Sequence, residues 1–439
     1  MSRMLIAHLK RISTEMLKEL PDPQAPYQRI GRTWSVLRRR LGHVKQGLPR
    51  QLSTSATATK LEQQPWNTPI LDYRAEVRSQ TNKRALMAYV VSGFKMSPAD
   101  LRESFHSSFI QSIEIAKAFN RIGYAVDIVD VSDTISLPQG RYDVFMGEHL
   151  NFERLLPCLQ ENTVKIFYAT RSHWAFEHKA FEARARRVKE VRGINLPYAF
   201  WDPPNDWAEK ADATISIGNR QVSNTYIGHA RRFFAIDNSS LPITRPDLDR
   251  KDYVSARKHF LWFASGPLLH KGLDLVLEAF SGLPDLHLWI CGPLQSKSEE
   301  PFVHAYRREL FHTRNIHPVG MIGPDSSTMH ILRDMCASNI LTSCAEAMSG
   351  SVMTCMGHGL VPIVSQETGV DTENFGTTLA YCDVADIRLA ALSFANFPPE
   401  VCRRMAQEAY HQTQTRYTLN AFRENIEQLL RTVIRSHKG

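Results

Sequence analysis

From residue 84 onward the chain alternates between short β-branched or aromatic runs and longer segments that are apolar at every third or fourth position. RALMAYVVSGF, AVDIVDV, YDVFMGE, VKIFYAT, ATISIG and RRFFAID read as strands, and SFIQSIEIAKAFNRIGY reads as an amphipathic helix between the first two. The rhythm then starts again. FLWFAS, LHLWICG, IHPVGMI, NILTSC, VPIVS and TLAYCD read as strands; GLDLVLEAF, FVHAYRRELF and MHILRDMCAS read as the helices among them. Strands that are apolar throughout, separated by helices, predict parallel sheets covered on both faces. Two doubly wound α/β units in series are therefore expected. Their boundary falls in the Pro- and charge-rich SLPITRPDLDRKDY, giving domains at 83–250 and 251–439, the second closed by the amphipathic QTRYTLNAFRENIEQLLRTVI.

Residues 1–82 follow another pattern. Leu5, Leu9, Ile12, Met16 and Leu20 recur at helical spacing, and TWSVLRRRLGHVKQGL sets Trp34, Leu37 and Leu41 among Arg38, Arg39 and Arg40. The next stretch, 51–82, begins rich in Ser, Thr and Pro and reads as a linker. Charge sharpens this division. The first fifty residues hold eleven Lys and Arg against three acids, which is the whole net charge of +8; the other 42 bases and 42 acids cancel. Two basic amphipathic helices suit peripheral contact with an anionic membrane surface, and they equally suit packing on the protein's own body with a solvated basic face. Glu15, Glu19 and Asp22 depart from the acid-poor pattern of an organellar transit peptide.

No apolar run approaches the ~18 residues of a spanning helix, and no secretory signal pattern opens the chain. The expected location is the cytoplasm, or the inner face of a membrane peripherally. The seven cysteines are scattered without a C-x-x-C pair, so buried reduced thiols are expected rather than disulfides or a zinc site. A neutral body and a basic arm with few aromatics give no reason to expect nucleic acid as a partner.

In doubly wound sheets ligands bind beyond the carboxyl ends of the strands. Gly93 closes the first strand, where the missing side chain admits close approach. Thr170, Arg171 and His173 follow a strand expected at the sheet centre, and a histidine there suits a sugar hydroxyl, a phosphate or a structural hydrogen bond. Gly266 ends the first strand of the second unit, and Lys271-Gly272 opens the next helix. This is not a Walker loop, but an ammonium beside free helix N–H groups offers positive potential to a phosphate. In LTSCAEAMSGSVMTCMGHGLVPIVS, Ser349, Gly350 and Ser351 are placed to cap a helix starting near Val352, and Gly359 to end it. Glu346 then stands in the loop before a helix N-terminus, where its carboxylate can accept bonds from hydroxyls.

The string HKGLDLVLEAF, followed by LHLWICG, IHPVGMI and SCAEAMSGSVMTCMGHGLVPIVS, resembles the donor-binding half of glycosyltransferase family 4, retaining enzymes of the GT-B fold. The likeness covers residues 257–382 and more loosely 84–240; residues 1–80 find no counterpart. It implies two Rossmann-like domains facing a cleft, the first for the acceptor and the second for a nucleoside diphosphate sugar, with a basic helical extension ahead of them. It places Lys271 on the donor diphosphate and Glu346 on donor-sugar hydroxyls. The backbone of Ala347, Met348, Ser349, Gly350 and Ser351 then lies along sugar and phosphate. With Gly266 and Thr354 these residues form the expected donor side; Gly93, His106, Thr170 and Arg171 form the acceptor side, and His173 joins Glu346 and Lys271 as catalytic. Two positions depart from the family. Pro267 follows Gly266 where an Arg is common, and Thr354 stands where a second Glu would bind the ribose.

The resemblance thus implies a glycosyltransferase acting on a hydroxyl of a glycan or lipid-linked acceptor, without cofactor or metal. A non-catalytic protein that kept the fold, or a sugar-nucleotide epimerase, remains an alternative.

Overall fold

The structure is a computed structural model and describes residues 68–77, 81–102, 104 and 106–437. The basic helices expected within residues 1–50 lie outside the described residues.

Thirteen strands form two sheets among the described residues. The first contains β1 (Ile70–Tyr73), β2 (Arg84–Tyr89), β3 (Ala125–Asp130), β4 (Val144–Gly147), β5 (Val164–Ala169), β6 (Ala213–Ile217) and β7 (Phe233–Ile236), in the order β1-β3-β2-β4-β5-β6-β7. The second contains β8 (His259–Phe263), β9 (His287–Cys291), β10 (Ile316–Pro318), β11 (Ser338–Leu341), β12 (Val361–Ser365) and β13 (Thr377–Leu379), in the order β10-β9-β8-β11-β12-β13. Every pairing is parallel except β1 against β3. β1 corrects the sequence reading, which left residues 70–73 in a linker. Its ILDY has two exposed positions, as an antiparallel edge strand allows.

The apolar strands are buried on both faces for a visible reason. In β2, Ala85 and Met87 join one core cluster, while Leu86 and Ala88 join another with Phe145, Phe152, Phe167 and Trp207. The second sheet repeats this: Phe260 and Trp262 face one layer, and Leu261 packs with Cys291, Met329, Leu332 and Leu360 on the other. Helix α1 (Ser108–Arg121) lies between β2 and β3, α2 (Trp174–Arg192) follows β5, and α3 (Leu273–Ser281) follows β8. Helix α4 (Gly350–Gly357) joins β11 to β12, and α5 (Leu419–Arg435) ends the fold. FVHAYRRELF is two helices, Glu300–Ala305 and Arg307–His312, parted at Tyr306.

Each sheet reverses its direction of growth once. The chain runs β2 to β3 on one side and then places β4 on the other; in the second sheet it runs β8, β9, β10 and then places β11 beside β8. The crevices at these switch points, beyond β2/β4 and β8/β11, are where such sheets bind ligands.

Several sets of contacts hold the halves together. Helix α5 returns to the first half and packs on α1, with Arg121 pairing to Glu427 and Arg423 to Glu114, each at 2.6 Å. The outward and return crossings lie side by side: the Ser240 amide donates to the Tyr417 carbonyl at 2.8 Å, and Arg416 pairs with Asp237 at 2.7 Å. Elsewhere, α2 presents three arginines to α3. Arg184 reaches Asp274 at 3.0 Å, Arg187 reaches Asp274 at 3.4 Å and also pairs with Glu278, and Arg192 reaches Glu278 at 3.5 Å and, on the helix Arg307–His312, Glu309 at 2.9 Å. Asp274 is wholly buried. Truncating Asp274→Ala strands a buried guanidinium and is expected to cost about 3–5 kcal/mol. A urea titration would show this as a lowered midpoint; an unchanged midpoint would mean that the arginines find water instead.

Candidate functional site

The two residues expected on the donor face meet at the second switch point. After β8 the chain turns through Gly266 to Lys271 and Gly272, whose φ of 74° suits glycine at the N-cap of α3. A Cβ on Gly272 would stand 2.0 Å from the Thr342 carbonyl oxygen, so this glycine brings the start of α3 against the end of β11. After β11 comes the loop with Glu346. Its carboxylate pairs directly with the Lys271 ammonium and accepts from the Ser343 hydroxyl at 2.9 Å. Burial works against the charge on Glu346, but Lys271 holds its pKa below the usual carboxylate value. Both side chains keep about a seventh of their surface exposed, at 14% and 13%, so a ligand can reach the pair.

The backbone of this loop is held by both halves. The Ser172 hydroxyl donates to the Glu346 carbonyl at 2.5 Å, and the Asn238 amide group donates to the Met348 carbonyl at 3.0 Å. Ser349 N–H donates to the Thr368 carbonyl at 2.8 Å. Gly369 passes so near Ala347 that a Cβ there would lie 1.7 Å from its carbonyl oxygen. Helix α4 begins at Gly350 with Ser349 as N-cap, but the Ser349 hydroxyl makes no capping bond. Gly350 is exposed, with open space where a Cβ would stand, and Ser351 is half-buried beside it. Thr354 is buried one turn into the helix. At Gly266, the Glu299 carboxylate, raised in pKa by burial, occupies the space a Cβ would take and accepts from the Leu268 amide at 3.1 Å.

The first switch point carries groups that sequence reasoning passed over. Glu148 and His149 follow β4; Glu148 is buried and takes the Thr170 hydroxyl, while His149 lies 3.0 Å from Glu148 and 2.8 Å from Asp202. Burial alone would lower the His149 pKa, but Glu148 and Asp202 raise it to about 10. His106 bonds the Ser108 hydroxyl at 2.9 Å and lies within electrostatic reach of Lys271, Glu148 and Glu346, between the two crevices. Partial enclosure and then Lys271 lower its pKa. Arg171 stacks over Trp201 at 4.8 Å and approaches Glu177 at 3.5 Å.

Other expected residues are not brought to the pair. Gly93 lies in a turn against α1, where a Cβ would sit 2.2 Å from the Phe109 carbonyl oxygen, so the close approach is by the chain itself. His173 caps α2 and stacks on His229, ring centroids 3.8 Å apart. Burial, and then His229, lower its pKa to about 4. The imidazole beside Glu346 is instead His270, buried, with both ring nitrogens lacking a hydrogen bond and its pKa pushed to about 3 by burial and then Lys271. Its place directly before Lys271 was the available signal. His173 forms one group with metal-ligand spacing among the described residues, with Glu209 and His229.

No protein-family profile matches this chain. No curated protein matches it either. Among solved structures it is similar to sucrose-phosphate synthase from Thermosynechococcus elongatus, at 13% identity over 81% of this chain and all of that one, with a TM-score of 0.59. It also aligns with Anabaena HepE in complex with UDP and glucose, at 11% identity over 80% of this chain and all of that one, TM-score 0.49. WaaG, a glycosyltransferase involved in lipopolysaccharide biosynthesis, aligns at 13% identity over 79% of this chain and 98% of that one, TM-score 0.48. The first likeness shows the fold: two Rossmann-like sheets in a GT-B arrangement.

The raised pKa of His149 has a signed consequence. Its charged form stabilises the fold fully below the unfolded value near 6.5, less as pH rises, and not at all above about 10. The stability difference between wild type and His149→Gln is expected to shrink steadily between those limits. Denaturant titrations at several pH values would measure it; a pH-independent difference would mean that His149 is neutral.

Proposed function

We propose that the protein transfers a sugar from a nucleoside diphosphate donor to a hydroxyl of a glycan or lipid-linked acceptor, with retention of configuration. The observation that carries this reading is the pairing of Lys271 with Glu346 at a switch point, beside the uncapped and open N-terminus of α4. In transfer, the C1–O bond to the diphosphate breaks with its electron pair going to the phosphate, the acceptor oxygen forms the new bond to C1, and the acceptor's hydroxyl proton passes to the departing phosphate oxygen. Negative charge grows on the phosphates, and Lys271 with the free N–H groups of α4 stabilises it without a metal. Glu346, held ionised, accepts from donor-sugar hydroxyls. Donor binding then exchanges the Lys271–Glu346 contact for one contact each. The first switch point, with Thr170, Arg171, His106 and the Glu148–His149 pair, receives the acceptor.

A second reading rests on Thr354 and Glu299. Thr354 puts a neutral group where the family resemblance calls for an acid, and Glu299 brings a carboxyl to Gly266, beside the expected phosphates. A chain that kept the fold but lost turnover would show these features.

Free nucleotide release from a panel of nucleotide sugars, with and without acceptors, separates the readings. Lys271→Ala is expected to lower turnover about 10²-fold or more, and Glu346→Gln to cut kcat strongly. Conversion of the donor to an isomeric nucleotide sugar, without acceptor and without net nucleotide release, would point to an epimerase. A wild type that releases nothing and binds neither UDP nor GDP by calorimetry would leave the non-catalytic reading.

None of the described helices is long and apolar enough to cross a membrane. The charge concentrated in residues 1–50 supports peripheral contact with anionic lipid, at the cytoplasmic face. Removing these residues is expected to weaken sedimentation with anionic liposomes, most clearly at low salt. Equal sedimentation of truncated and full chains would rule the contact out.

A further inference from the structure

His173, Glu209 and His229 come from three separate segments: the N-cap of α2, the short helix Trp207–Lys210, and the turn after the helix Arg220–Asn224. Each offers a ligand atom within 4.8 Å of the others. His229 Nδ1 lies 2.7 Å from Glu209 Oε1, and the two imidazoles stack at 3.8 Å with an angle of 16° between planes. Two polar atoms of this cluster are buried without any hydrogen-bond partner: Nε2 of His173 and Oε2 of Glu209. Buried polar atoms are nearly always satisfied, and one shared ligand would satisfy both orphans of this cluster. His173 is itself only 3% exposed.

We propose that His173, Glu209 and His229 bind one divalent transition-metal ion of the zinc type. Two imidazole nitrogens and a carboxylate form a zinc-like ligand set with a fourth position left for water, and are a poor set for magnesium, which takes oxygens. Bonds of about 2.0–2.2 Å in a tetrahedral set place the ligand atoms about 3.3 Å apart, so the 2.7 Å contact of His229 with Glu209 opens and the ring of His229 turns out of its stack. The ion replaces the proton shared by His229 Nδ1 and Glu209 Oε1, that proton moves to the other nitrogen of the ring, and the ion also takes the unpartnered Glu209 Oε2. At His173 the ion takes Nε2; the proton moves to Nδ1, which gives up its long, 3.4 Å contact with the Ala175 amide. The ion serves structure rather than the transfer reaction. It ties the start of α2 to two neighbouring segments and so steadies Ser172, the residue before His173, whose hydroxyl holds the Glu346 carbonyl.

The test uses the full chain, stripped with a chelator and titrated with zinc chloride against a chromophoric competitor. Wild type is expected to take up about one equivalent more than His229→Ala or Glu209→Gln. Cobalt in place of zinc is expected to give visible ligand-field absorption in wild type that both variants lack. Circular dichroism confirms that the variants fold, and Glu209→Gln, which preserves shape, stands in should His229→Ala fail. Equal zinc uptake by all three proteins, or a cobalt spectrum unchanged by the substitutions, overturns the site. No uptake by wild type does so too, and leaves a histidine–carboxylate hydrogen bond in its place.

Discussion

The buried carboxylate of Asp274 fixes how the two halves meet. A wholly buried acid is tolerated only with charged partners, and its partners here, Arg184 and Arg187, belong to the other half of the chain. The pairing sets α2 along α3, and α3 begins two residues after Lys271. The position of the ammonium relative to the first sheet therefore follows from an ion pair three residues further on, in the first turn of α3. Arg184 also donates to the Thr342 carbonyl at 3.2 Å, so the strand end that leads to Glu346 is held by the same side chain.

That arrangement leaves the Glu346 loop little freedom. Its carbonyls are taken by Ser172 and Asn238, its Ser349 amide by Thr368, and the chain at Gly369 presses against Ala347. A loop held at so many backbone points presents its side chains in one geometry. The uncapped start of α4 is the exception, a place where N–H groups are left to water or a ligand.

How much of this was legible in the sequence depended on burial. Strands with both faces covered, such as RALMAY and AVDIVD, announced themselves as apolar runs, and their alternation with helices was enough for the fold class. The edge strand ILDY did not, because an edge needs little apolar content. Lys271 and Glu346 were readable because each sits just past a strand and before a helix. Glu148 with His149, and Ser172, were not, since their partners are supplied by distant segments. Strand-end position correctly located His173 but not its direction: its ring turns to His229, 56 residues on, a contact that no local pattern encodes.

The chain passes between the halves twice, and the crossings are joined by the Ser240–Tyr417 hydrogen bond and the Arg416–Asp237 pair. Two tethers fastened at one seam would by themselves make a hinge with a single pin. The Arg184–Asp274 pair and the Ser172 bond to the Glu346 carbonyl are further pins on other elements, so no single axis leaves all of them intact. A fold stitched in this way keeps the register of one wall of its cleft against the other, and opening the cleft means breaking a buried ion pair.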